Sequence, residues 1–452
     1  MPKPVIFIPG FPASEIRDAD NQVVFPPSPG TLLNSARKKA FFDAMLDIPG
    51  DLVAGPPIRS VLGIAKQAQS LYDILGRLGY TIANEGRSAD FAHVGWDWRL
   101  GVDAKPTLDA VADAITAFAP RKIVALVHST GALVFRAFLK AHPDLAGNIE
   151  QVLAFGGAWC GTLEALFAVH AGHSESILGL KLITADEGAK LIGHMQAAYD
   201  LFPPDPARTP MDAVHLVHGL DGKQAGANVD RSWIKAGRAY ARPLADEANR
   251  RLGARDRDFG MLPLTNVVGW GGPTWPGAVL VANNVVFLPP EKDSGDGTVP
   301  RVSATWITGA NVRTILVPIG AFVANPIPDL HAHMWESMAV KQVFEEVLLD
   351  AKRKEFIAAA ADSDEALDYS SPVTVRMTAQ SPDGQPLPDC IAIAKINGSK
   401  IPVPFKGGSR AILRVNRDGI QHNASNDVYR FTIDFKWDGG SRKNIAVSFR
   451  SP

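Results

Sequence analysis

Cysteine is almost missing from this sequence: Cys160 and Cys390 are the two present among 452 residues, and they fall in different halves of the chain. A disulfide framework is therefore not expected, which suits a reducing compartment. Charge of one sign is equally scarce, since 46 Lys and Arg face 47 Asp and Glu, for a formal net charge of −1. The basic residues are scattered, so no field draws nucleic acid in, and such a partner is not expected. Long apolar runs are missing as well. Met1-Pro2-Lys3-Pro4 leads straight into Val5-Ile6-Phe7-Ile8, a stretch too short for a signal peptide or a membrane span. Cytoplasm is the expected location. His, Cys and Glu nowhere gather at metal-ligand spacing, and no Gly-rich phosphate loop is found, so no cofactor or metal is implied.

What is present is an alternation. Short β-branched runs alternate with helical patterns up to about residue 350, as in an α/β domain with a mostly parallel sheet flanked by helices. Val5–Ile8, Phe91–Val94, Ile123–Val127, Gln151–Phe155, Asn266–Val268 and Val312–Val317 read as strands. Ile64–Leu78, Leu108–Phe118, Gly131–Ala141 and Trp335–Leu349 read as helices. Two stretches interrupt the rhythm: Val24 to Ser60, rich in Pro and Gly, and Thr162 to Leu264, mainly helical in pattern. Insertions of this size are expected to form a cap or lid over a site.

The catalytic-type domain is expected to span residues 1–357, followed by a small acidic linker over 358–371. Beyond it the apolar pattern changes to period two, in Val373–Met377, Ile391–Ile393, Tyr429–Ile433 and Ile445–Val447, with Asn397-Gly398 and Asp383-Gly384 as turn signals. Residues 372–452 should thus form a small antiparallel β-domain, a sandwich. It carries no catalytic constellation, so a chain ending near Ala360 is expected to keep the site. The partner such a domain could attach to, protein, glycan or surface, is left open.

Chemistry is carried by Ile123-Val124-Ala125-Leu126-Val127-His128-Ser129-Thr130-Gly131-Ala132, a strand, a sharp turn and a helix. A serine on that turn sits at a helix N-terminus, where the dipole and free N–H groups stabilise developing negative charge. Val127 stands where the pattern G-x-S-x-G has its first glycine. His128 reads as a positional residue of this elbow. Earlier, the strand Val5–Ile8 ends in Pro9-Gly10-Phe11-Pro12. The backbone N–H groups of Phe11 and Thr130 would bind a tetrahedral oxyanion, each such donor being worth about 3 kcal/mol. Asp293-Ser294-Gly295-Asp296-Gly297 offers the acid: Asp296, flanked by glycines, is preferred, with Asp293 as the alternative. The base is His331 or His333. Nucleophile, acid and histidine then follow in the order an α/β-hydrolase requires. Trp96, Trp98 and Trp159 lie near strand ends that should face the site, where they could line an acyl channel or pack the core.

These segments together resemble the lecithin:cholesterol acyltransferase family, over roughly residues 4 to 350. Pro9-Gly10-Phe11 is similar to its oxyanion loop and Trp96-Asp97-Trp98-Arg99-Leu100 to its Tyr-Asp-Trp-Arg-Leu stretch. Gly156-Gly157-Ala158-Trp159-Cys160-Gly161-Thr162, Tyr199–Pro203 and Gly295–Pro300 resemble further family segments. The resemblance implies the α/β-hydrolase fold and a serine hydrolase of lipid acyl esters, phospholipid or acylglycerol, with acyl transfer to an alcohol as a variant. It also favours His331 over His333, because related hydrolases place an apolar anchor three residues after the histidine and another about two turns on. From His331 these fall on Met334 and Val340, whereas from His333 the first falls on Glu336. Ala158 in place of the family's proline, and no cysteine pair within Val24–Ser60, are departures. A non-lipid ester, polyester or lactone remains the alternative substrate, and a binding protein built on the β-domain is the alternative of a different class.

Overall fold

Strands buried on both faces must be apolar at nearly every position, a condition that Val5–Ile8 and Ile123–Val127 meet among six short strand runs of this chain. In a computed structural model of the chain the six form one parallel sheet: β1 (Val5–Ile8), β2 (Phe91–His93), β3 (Ile123–His128), β4 (Ile149–Phe155), β5 (Leu264–Trp270) and β6 (Val312–Pro318). Their order is β6-β5-β4-β3-β1-β2. The structure describes residues 2–61, 65–66, 68–82, 87–170, 172, 175–177, 180–203, 215–217, 259–275, 277–281, 284–287, 290–318, 331, 334–337, 339–361, 372–416, 420–423 and 428–450.

Side chains of a strand alternate between faces, and here the alternation sorts them into two cores. Val5, Phe7, Val124 and Leu126 join one cluster, with α1 (Ala68–Arg77) and the closing helix Val340–Leu348 packed on it. Ile6, Ile8, Ala125 and Val127 join the other, covered by α2 (Lys105–Thr116) and α3 (Gly131–Ala141). Because β1 lies between β2 and β3, the strand order reverses there. Loops leaving the carboxyl ends of β1 and β3 therefore diverge and open a crevice, the usual place for a site in such a sheet. The fold is that of an α/β-hydrolase.

Several elements differ from the sequence pattern in extent. The helix expected over Ile64–Leu78 begins at Ala68, because Ser60–Val61 and Ala65–Lys66 pair as short antiparallel strands ahead of it. The closing helix expected over Trp335–Leu349 is split into a single 3-10 turn, Met334–Glu336, and the helix α4 (Val340–Leu348). The insertion after β1 is more β than its composition implies. Ser14–Arg17, Val23–Phe25 and Val53–Pro57 form a three-stranded antiparallel sheet, with the helices Pro29–Leu33 and Ser35–Leu46 between them. Asn34 caps the second helix by accepting from Arg37 N–H at 3.0 Å.

Arg99 straps this insertion to the sheet. Its guanidinium makes a two-point contact with Asp97 (2.9 and 2.7 Å) and also donates to the Leu52 carbonyl at 3.0 Å, with Asp97 and Arg99 both buried. A buried charge pair is tolerable because backbone carbonyls, those of Leu52 and Asp47, also accept from the guanidinium. Of the insertion expected over Thr162 to Leu264, the described part holds helices Leu163–His170, Ala185–Ile192 and Gln196–Asp200. It also holds the paired strands Glu175–Ile177 and Leu180–Ile183, and His215–Val217, which runs parallel to Gly277–Val281. Residues 204–214 and 218–258 of this expected lid lie outside the described residues. Among the described residues no helix is long and apolar enough to cross a membrane.

The tail is all antiparallel β: β7 (Phe356–Ala361), β8 (Val373–Gln380), β9 (Ile391–Ile396), β10 (Ser399–Pro404), β11 (Arg410–Val415), β12 (Gln421–Asn423), β13 (Val428–Trp437) and β14 (Gly440–Arg450). One sheet has the order β7-β8-β11; in the other β10, β9 and β13 follow in turn, with β12 and β14 paired to β13. Residues of both sheets, among them Val375, Met377, Ala394, Ile433 and Phe435, share a single core. Asn397 and Gly398, at φ 45 and 78, make the tight turn from β9 to β10 that their sequence calls for. The linker expected over 358–371 is corrected at its start: 358–361 belong to β7, whose small residues pair with Val375–Thr378. Residues 362–371 lie outside the described residues. The tail is also not a free appendage. Gln380 accepts from Leu316 N–H (2.8 Å) and donates to the Thr314 carbonyl (3.0 Å), so β8 covers the edge strand β6.

Candidate active site

Ser129 follows β3 with φ at 54, a left-handed backbone that a serine adopts only on a constrained turn. Its neighbours explain how the turn is enforced. A Cβ on Gly131 would lie 2.4 Å from the Ile8 carbonyl oxygen, so only glycine lets α3 start this close to β1. A Cβ on Gly10 would lie 2.7 Å from the Ser129 Cβ and 3.2 Å from its Oγ. The loop after β1 thus passes directly against the serine. Val127, the departure from the small-residue pattern, is accommodated inside the sheet as the partner of Ile8 and Ala154.

That loop is held by the tryptophans. Trp96 Nε1 donates to the Pro9 carbonyl at 2.9 Å and Trp98 Nε1 to the Ser14 carbonyl at 3.1 Å. Phe11 packs edge-on against Trp98 with ring centroids 5.4 Å apart. On the other side of the serine, Trp159 donates to Asn266 Oδ1 at 3.3 Å and packs edge-on against Phe259. All three indoles are at 0% exposure, enclosed behind the site with their N–H groups bonded inside the protein. Thr130 is likewise at 0% exposure, and its side chain makes no capping bond to α3.

Asp296 and His331 come together across 35 residues of chain. His331 Nδ1 donates to Asp296 Oδ2 at 2.7 Å, with Asp296 at 1% and His331 at 6% exposure. The other carboxylate oxygen accepts from the backbone N–H groups of Thr298 (3.1 Å) and Val299 (2.7 Å), which fixes the carboxylate in plane and angle. Asp293, the alternative acid, points elsewhere: it is ion-paired with Arg376 of β8. His333 lies outside the described residues.

Two residues shape the His–Asp pair that sequence patterns did not single out for that purpose. Gly156, at φ 51, lies beneath it: a Cβ there would come within 2.8 Å of His331 Cε1 and 2.9 Å of Asp296 Oδ2. The signal was a double glycine at the end of a buried strand, where close approach is the common reason for glycine. His128, read as a positional residue, has Nε2 at 3.1 Å from the His331 carbonyl oxygen, a bond that requires Nε2 to carry the proton. Its ring lies 4.7 Å from the His331 ring and 4.8 Å from the Trp335 ring. It braces the histidine loop from within the elbow.

The fold is that of the α/β-hydrolases, with a serine on the elbow turn and a buried His–Asp pair on the loops that follow β5 and β6. Residues 60–220 match the family model of lecithin:cholesterol acyltransferase, so this part of the chain is similar to that family. No curated protein matches the sequence. Among solved structures, a chain of the Tle4–Tli4 complex aligns at TM-score 0.48 and 13% identity, covering 75% of this chain and 96% of that one. Bacillus licheniformis lipase BlEst2 in its propeptide form aligns at 0.34 and 10%, covering 99% of this chain and 93% of that one. The product of gene lin2722 from Listeria innocua aligns at 0.31 and 11%, covering 77% and 95%.

Proposed function

We propose that this chain is a serine esterase cleaving the acyl esters of lipids, phospholipid or acylglycerol, through an acyl-enzyme on Ser129. The observation that carries the reading is the buried 2.7 Å contact between His331 Nδ1 and Asp296 Oδ2, which leaves Nε2 as the ring nitrogen able to take a proton. Ser129 Oγ attacks the ester carbonyl as His331 Nε2 removes its proton. Negative charge on the carbonyl oxygen is met by the backbone N–H groups of Phe11 and Thr130. Collapse of the tetrahedral intermediate expels the alcohol, protonated by His331, and leaves the acyl group on Ser129. Water then enters by the same route in reverse and releases the acid. Where the site excludes water, a second alcohol takes the acyl group instead.

A lipid substrate is supported by the family match, which spans the elbow and its flanking segments. The tryptophans Trp96, Trp98 and Trp159, all wholly buried, support the segments that flank the serine. The test is Ser129→Ala in a p-nitrophenyl ester series of increasing chain length, followed by phospholipid with products identified. Turnover should vanish in the variant while the fold is kept, a fluorophosphonate probe should label the native serine alone, and rates should rise with chain length. Near-native turnover in the variant overturns the serine mechanism, and preference for the shortest esters overturns the lipid reading.

A further inference from the structure

Thr130 carries a hydroxyl that the fold does not use. The residue is at 0% exposure, and its Oγ1 is buried with no hydrogen-bond partner. A threonine at a helix start ordinarily caps it by accepting from an N–H two or three residues on, and for that the residue needs extended backbone. Thr130 instead has φ −60 and ψ −25, helical values set by the Ser129 turn, so its side chain cannot swing back onto those groups. Ahead of it stands Ser129, with Gly10 against the Ser129 side chain. Behind it Gly131 is pressed against the carbonyls of Ile8 and Pro9. Thr130 thus stands where the turn after β3 meets the loop after β1, the two segments whose backbone N–H groups, at Thr130 and Phe11, face developing charge in the proposed reaction. Buried polar groups are bonded in folded proteins, and an exception at a site calls for an acceptor that arrives with the ligand.

We infer that the Thr130 hydroxyl is a third oxyanion donor, hydrogen-bonding the carbonyl oxygen of the bound ester as it becomes an alkoxide. The inference rests on the serine-esterase reading of the same site. No bond is made or broken at Thr130: the hydroxyl keeps its proton and adds one hydrogen bond that strengthens as charge develops. A hydroxyl unbonded in the free protein and bonded in the transition state has the differential character that raises turnover rather than affinity for substrate.

Thr130→Val is nearly isosteric and removes only the donor, while Thr130→Ser retains it. Expected for Thr130→Val are a kcat lower by about a hundredfold, a KM within about twofold of native, and weaker binding of an alkyl boronic acid by a similar factor. Its melting temperature should equal or exceed the native one, because an unbonded buried hydroxyl has been replaced by a methyl group. Thr130→Ser should recover most of the turnover. Native kcat and native boronate affinity in Thr130→Val overturn the inference, and so does a lowered melting temperature with no rescue by serine, which would make the hydroxyl structural. Ser129→Ala run alongside separates the two levels: if it stays active, the esterase reading fails, whereas its inactivity beside a native-like Thr130→Val removes only the third donor.

Discussion

Asp293, three residues ahead of Asp296, is ion-paired across the domain junction with Arg376 of β8, whose side chain is 2% exposed. The pair does not stand alone. Trp270 at the end of β5 donates from Nε1 to Thr378 Oγ1 at 2.9 Å, and Arg410 lies over the Trp270 ring at 5.1 Å. Gly272 backs directly onto the acid turn, since a Cβ there would lie 2.5 Å from Gly297 N. The tail therefore abuts the loop that carries the candidate acid, a contact that a chain ending near Ala360 would lose.

Arg376→Gln leaves the Asp293 carboxylate facing the junction without its partner. Because Asp293 is 30% exposed, the cost should be about 2 kcal/mol rather than the full penalty of a wholly buried pair. Urea unfolding checks the figure. Asp293→Asn combined with Arg376→Gln should recover part of the loss, and a chain ending at residue 361 should be poorly soluble, with the edge of β6 uncovered. A truncated chain of native melting temperature would show that the junction contributes nothing.

His331→Asn and Asp296→Asn should each lower kcat on a soluble ester by about ten-thousandfold with little change in KM, as expected when a general base or the group that orients it is lost. The double variant should be no worse than either alone, because the two residues act as a unit. His333→Asn should stay within about threefold of native. If instead His333→Asn is the inactive variant, the base has been assigned to the wrong histidine.

Gly156→Ala tests the floor of the site. The new methyl would meet His331 Cε1 and Met334 Cε at 2.8 Å, and the backbone at φ 51 disfavours any side chain. Turnover should fall by at least about tenfold, as displacement of a triad member by an ångström does, while circular dichroism stays native. Unchanged kinetics would mean that the pair can shift without cost.

Cys390 lies in the tail core, and burial pushes its thiol up to about 11. At pH 8 about one molecule in a thousand carries the thiolate, and Cys160 is buried as well. Ellman's reagent should therefore be nearly inert toward the native protein at pH 8 and react with both thiols in denaturant. Fast labelling of Cys390 in native buffer would show that the tail opens on its own.

Much of this architecture was legible in local pattern. A strand too apolar to face water on either side, as Ile123–Val127 is, must be central and parallel, and a serine between it and an apolar helix must sit on the elbow. The change from helical periodicity to alternation near residue 372 marked the β tail for the same kind of reason. Residue order also placed Asp296 and a histidine after the serine. These features depend on neighbours within a few residues, which the chain itself sets side by side.

What only the tertiary structure decided are the relations between residues remote in sequence. Strand order brings the loops after β5 and β6 together, so that Asp296 meets His331 and Asp293 is turned away to Arg376. The same packing closes the three tryptophans behind the site, lays Gly156 under the histidine, and leaves the Thr130 hydroxyl without a partner. Hydrophobic periodicity states which face of an element is buried but not against what. The partner follows from how the layers close, where shape and hydrogen-bond satisfaction across the whole molecule select one arrangement.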